Sequence, residues 1–124
     1  VTLTQATGRC LRRYADFSGR ASRSEFWYFF LACTLIVGGL FTAVFVLTEL
    51  DDIVGLTAII LAALVYLSLL LPQLASFVRR LHDQDRRGWW VLVYFLPLGL
   101  PILLAMMALP GTAGDNRFGP VPPQ

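Results

Sequence analysis

An all-α membrane fold with three transmembrane helices is predicted by three observations. The 124-residue chain is 56% hydrophobic and only 15% charged, whereas soluble globular chains carry roughly a quarter charged residues. Charged side chains are absent from residues 26–48, 53–78 and 88–114, and each window exceeds the ~20 residues that cross ~30 Å of hydrocarbon as a helix. The ten basic residues are all arginine, and nine of them lie before the first window or between the second and third. Such a balance excludes a secreted disulfide scaffold, a disordered tail and a water-soluble enzyme.

The elements follow in order along one membrane domain, residues 1–124. Residues 1–25 hold five arginines and no apolar core of the kind a cleavable signal peptide has, so the first apolar run is expected to be an uncleaved anchor. Within this leader Leu3, Thr7, Cys10, Tyr14 and Phe17 recur at helical spacing, which suits a short amphipathic helix lying along the headgroups. Ser22-Arg23-Ser24-Glu25 fits a capping box and should start the first membrane helix. Transmembrane segments are expected at 26–48, 53–78 and 88–110, followed by a Gly/Pro-rich tail, 111–124. The third helix should be kinked or broken between Pro97 and Pro101, because each proline frees a carbonyl four residues back. Pro72 frees that of Ser68 in the second, and Gln73 is the candidate to satisfy it.

Orientation follows from charge. The first connection holds Glu49, Asp51 and Asp52 with no base, and the second holds Arg79, Arg80, Arg86 and Arg87. Positive-inside reasoning puts the N-terminus in the cytoplasm and, with three crossings, the C-terminus in the periplasm of a bacterial inner membrane. Trp27, Trp89 and Trp90 then sit at one boundary as interfacial anchors.

Chemistry is sparse. His82 is the chain's single histidine, too few for a hydrolytic metal site, and no Gly-x-Ser-x-Gly elbow is present. Neither a catalytic residue, a metal site nor a cofactor is expected. The spans lack the intramembrane ionisable residues that carriers use. Cys10 and Cys33 are not expected to form a bridge, since Cys33 is well inside the first helix and Cys10 lies upstream of it, and should act as small apolar residues. On a helix Arg79 and Asp83 stand four apart and could pair. The expected function is a non-enzymatic scaffold or accessory subunit. Its arginine-rich cytoplasmic face would bind anionic phospholipid or a larger membrane complex, but not nucleic acid. Two alternatives are an oligomeric passage for small solutes or ions, and a lipid-modifying enzyme using His82 with Asp83 or Asp85.

Three motifs in order carry a family resemblance: Phe17-Ser18-Gly19-Arg20-Ala21-Ser22-Arg23-Ser24-Glu25-Phe26-Trp27, then Arg79-Arg80-Leu81-His82-Asp83 with Gly88-Trp89-Trp90, then Gly111-Thr112-Ala113-Gly114-Asp115-Asn116-Arg117-Phe118-Gly119-Pro120. Together they resemble the YhaH-type small bacterial inner-membrane proteins, a family known mainly as a domain of unknown function. The likeness covers about Tyr14 to Pro123 and implies a helical inner-membrane protein. Candidate lipid- or partner-binding residues are Arg20, Arg23, Glu25, Arg79, Arg80, His82, Asp83, Arg86, Arg87, Asn116 and Arg117. Three crossings place the third motif opposite the other two. A re-entrant third segment would return Asn116 and Arg117 to the arginine cluster, but the stretch to Leu109 is too short for two full crossings, so three are expected.

Overall fold

A computed structural model of the chain describes residues 2–123. Helix α1 (Leu3–Arg12) is followed by α2 (Arg23–Leu50), α3 (Asp52–Asp83), a 3-10 segment (Gly88–Phe95) and α4 (Gly99–Met107). The expected leader helix therefore forms, ending before Tyr14 and Phe17. It is started by a capping box that the charge pattern concealed, in which the Thr2 and Gln5 side chains each reach the other's backbone N–H.

Helices α2 and α3 form a long hairpin with Asp51 as its only linking residue. The Asp51 carboxylate accepts from the backbone of Ile53 at 2.8 Å and Val54 at 3.1 Å, capping α3 as α2 ends. The close return needs Gly55, where an added Cβ would meet the Thr48 backbone at 2.7 Å. Both helices are long and apolar enough to cross a bilayer.

The third window departs from expectation. Among the described residues it forms no third span-length helix. Eight residues of 3-10 helix reach about 16 Å, and the nine of α4 about 14 Å; neither covers the hydrocarbon. Trp89, Trp90, Val91, Val93, Tyr94 and Phe95 are weaker helix formers than Ala or Leu. Leu96, forced extended before Pro97 (φ −88°, ψ 153°), then stops the run. Leu98 takes a left-handed turn at φ 60°, and Pro101 falls in the first turn of α4, where a missing N–H costs no bond. The result is a folded-back hairpin. Its Leu103 and Met107 are buried against Phe26, Phe77 and Leu81, with Phe26 and Phe77 edge to face at 4.8 Å.

The tail is displaced with it. Instead of leaving from the far end, it returns to the end of α3 that carries Arg79 and Arg80, where Thr112 N–H donates to Asp83 O at 2.7 Å. The expected separation of the third motif from the other two is thus corrected. One smaller expectation changes and another holds. The Ser68 carbonyl freed by Pro72 accepts from the Tyr14 hydroxyl, not from Gln73. Cys10 and Cys33 share one buried cluster with Phe29 because α1 runs alongside the first turns of α2, and both thiols are free, as expected.

Candidate functional site

The last turns of α3, Ala75 to Asp83, are buried throughout. Enclosing a charged helix end is costly unless most of its donors and acceptors are matched; Ser76 Oγ and Arg79 Nε lack a partner, and Asp83 supplies the centre of the match. Its Oδ1 accepts from Arg20 Nε at 2.9 Å and pairs with Nη2 at 2.8 Å, while Oδ2 pairs with Arg80. The two guanidinium groups then use their other N–H groups on backbone carbonyls. Arg20 donates to Thr112 O at 2.8 Å, Gly114 O at 2.8 Å and Gly119 O at 3.2 Å, so it holds the tail in three places. Arg80 donates to Ala21 O at 3.3 Å, Met107 O at 3.1 Å and Leu109 O. Met107 O is an orphan carbonyl of the last turn of α4, where a cation suits the helix dipole, and Leu109 O lies two residues beyond it. Arg80 thereby fastens the folded-back hairpin.

The expected Arg79–Asp83 pair does not form; Asp83 takes Arg80, three residues back, in its place. Arg79 faces the leader, donating to Asp16 O at 2.7 Å, Arg13 O at 3.3 Å and Cys10 Sγ at 3.5 Å. Burial pushes the Cys10 thiol up from its ordinary pKa, an effect that the Arg79 charge only partly offsets. Asp16 closes this turn, and its carboxyl is held well below the usual range, first by the Ser18 hydroxyl, then by the Ser18 N–H and the Arg13 guanidinium. Glu25 is buried at the start of α2. Only half of its expected capping box forms, with Ser22 Oγ accepting from Glu25 N–H at 3.2 Å.

His82 carries the proton on Nδ1, because its 2.9 Å partner there is the Gly19 carbonyl, an acceptor. Its ring stacks on Phe118 at 4.0 Å and 3°. Asn116 Nδ2 donates to His82 O at 2.9 Å while Asn116 Oδ1 accepts from Phe118 N–H at 2.9 Å. Arg117 pairs with Asp85 at 3.1 Å, and Asp85 lies beyond the end of α3 in a left-handed turn (φ 57°). Gly111 passes so close to Asp83 that a Cβ there would meet its carboxylate at 2.0 Å.

Of the candidate residues, then, Arg20, Glu25, Arg79, Arg80, His82 and Asp83 are enclosed, with Asn116 half-buried beside them. Arg23, Arg87 and Arg117 are exposed, and the half-buried Arg86 lies over the Trp90 ring at 5.4 Å. Arg13, Tyr14, Asp16 and Gly111 were not singled out from the sequence as site residues. The Arg13-x-x-Asp16 spacing and the tail's leading glycine were the available signals.

The three motifs that carry the resemblance are therefore the three strands of one knot: Arg20 from the first, Arg80, His82 and Asp83 from the second, Thr112, Asn116 and Phe118 from the third. The chain is 42% identical over 110 residues to Escherichia coli K12 inner membrane protein YhaI, covering 88% of this chain and 87% of the relative. It is 40% identical over 119 residues to inner membrane protein YhaH of the same organism, covering 92% and 93%. No solved structure matches it. A family model described as a protein of unknown function, DUF805, matches residues 14–120, from the tyrosine that covers the Ser68 carbonyl to the end of the third motif, and the chain belongs to that family of inner-membrane proteins.

Proposed function

We propose that the protein is a non-enzymatic, two-span protein of the bacterial inner membrane whose arginine end docks anionic phospholipid headgroups in the cytoplasmic leaflet. The observation that carries this reading is the division of labour among the arginines. Arg20, Arg79 and Arg80 are consumed inside the fold, while Arg12, Arg23, Arg87 and Arg117 remain exposed around it, beside the exposed Trp89 and Trp90. A belt of guanidinium groups next to interfacial tryptophans matches phosphate oxygens at headgroup depth. The acidic surface of a larger membrane complex would meet the same belt.

Charge also supports two crossings with both ends of the chain in the cytoplasm. With the tail folded back, Arg117 joins the other nine arginines, and the Asp51 end carries only Glu49, Asp51 and Asp52, the distribution that positive-inside topology favours. Occupancy speaks against chemistry at His82 and Asp83. Both Asp83 oxygens face guanidinium groups, and His82 is bonded at Nδ1 and covered by Phe118.

Native mass spectrometry from mixed bilayers tests the docking. Each exposed guanidinium near an anionic surface is worth ~1 kcal/mol, so joint replacement of Arg23 and Arg87 by alanine should lower the preference for phosphatidylglycerol over phosphatidylcholine roughly 30-fold. An unchanged lipid ratio would refute the docking.

A further inference from the structure

The knot and the folded-back hairpin give the molecule two very different ends. From Leu35 to Val65, short of Tyr66 and Ser68 where Tyr94 and Tyr14 reach α3, Gly55 is the only buried residue of the α2–α3 hairpin. The other end is built from all five elements. Helix α1 packs on α2 through Cys10, Phe29 and Cys33, and the chain just after it reaches Ser68 through the Tyr14 hydroxyl, about 16 Å along α3 from Arg79 by helical rise. On the other flank α4 packs on Phe26 and Phe77.

Both additions present apolar side chains outward, among them Leu3 and Leu11 of α1 on one flank and Leu92, Phe95, Leu98 and Ile102 on the other. Side chains of this kind belong among acyl chains rather than in water. A helix with its side chains is about 10 Å across, so the footprint roughly doubles from the Asp51 end to the arginine end.

We propose that the chain is a membrane wedge that sorts by curvature, favouring bilayer in which the leaflet around the arginine end is convex. Acyl packing on a convex face leaves defects that the two apolar flanks fill, and a concave face closes them. The bare Asp51 end takes up little of the opposing, compressed leaflet. The ligand is thus a lipid surface defined by shape, not by headgroup. This rests on the reading that α1 and the folded-back hairpin share the leaflet of the arginine end, but it does not need the anionic docking.

The test is to reconstitute the fluorescent full-length protein in both orientations into phosphatidylcholine vesicles of mixed diameter. Density per unit area is counted vesicle by vesicle, and orientation is assigned by protease protection. Molecules with the arginine end outward should be enriched at least ~2-fold in the smallest vesicles, and those with it inward should be depleted there. Density independent of diameter, or one trend for both orientations, would overturn the wedge. Because the vesicles carry no net charge, sorting that persists while phosphatidylglycerol preference is absent removes the docking reading alone. Preference without sorting removes the wedge alone.

Discussion

Replacing Asp83 by alanine is expected to unlock the tail and the folded-back hairpin together and to remove about 3–5 kcal/mol of stability, the usual cost of deleting one partner of a buried ion pair. The loss is large because one carboxylate serves two guanidinium groups on different elements, Arg20 and Arg80, each almost fully enclosed. Without it two cations remain buried with carbonyl acceptors only, and water must enter to solvate them. Arg20 then releases Thr112, Gly114 and Gly119, and Arg80 releases Met107 and Leu109. Thermal unfolding in mild detergent should show a markedly lower midpoint, with faster proteolysis between residues 110 and 120. Asp83→Asn, which keeps an acceptor oxygen but no charge, should fall between wild type and Asp83→Ala. A wild-type midpoint and a protected tail in Asp83→Ala would show that the knot does not hold the fold.

Gly99→Ala should be nearly as damaging for a steric reason. A Cβ at this position would stand 1.7 Å from the Val93 carbonyl oxygen and 3.5 Å from Leu96 Cβ. The first contact is to backbone, so the turn itself must open. Opening it draws Leu103 and Met107 away from Phe77 and Leu81. Overpacking of this kind commonly costs about 1–3 kcal/mol, and partial loss of the core contacts adds to it. Gly38→Ala is the matched control, because nothing lies within 4 Å of a Cβ there and alanine is the better helix former by ~1 kcal/mol. Denaturant midpoints should fall for Gly99→Ala and hold or rise for Gly38→Ala. Equal midpoints would mean that the close turn at Gly99 is not part of the stable fold.

Much of the architecture was legible in the sequence because the strongest signals are one-dimensional. Uncharged runs located α2 and α3, helical spacing located α1, and Ser22 marked the start of α2. The third window misled because an apolar run of that length satisfies the criterion for a crossing and for a folded-back hairpin alike. Length alone cannot separate them. Local chemistry separates them: Pro97 with the left-handed Leu98 turns the chain, and Gly99 permits the close approach.

The knot was harder to read. Arg20, Arg80, Asp83 and Asn116 were identifiable as a group, but their burial was not, because it depends on which way the third window turns. Once the tail returns, arginines that would face headgroups from an open end become internal staples. Tyr14 was equally hidden. That Pro72 frees the Ser68 carbonyl follows from covalent geometry, whereas its partner lies 54 residues away in sequence and depends on where α1 docks.

The side of the membrane on which the tail lies is decided most directly by labelling with a membrane-impermeant maleimide. Single cysteines at Glu49, Arg87 and Ala113, all exposed, would be placed in a chain whose buried Cys10 and Cys33 are replaced by alanine. Glu49→Cys is expected to react in intact cells, while Arg87→Cys and Ala113→Cys react only after the membrane is opened. Labelling of Ala113→Cys from outside, together with Glu49→Cys, would contradict two crossings.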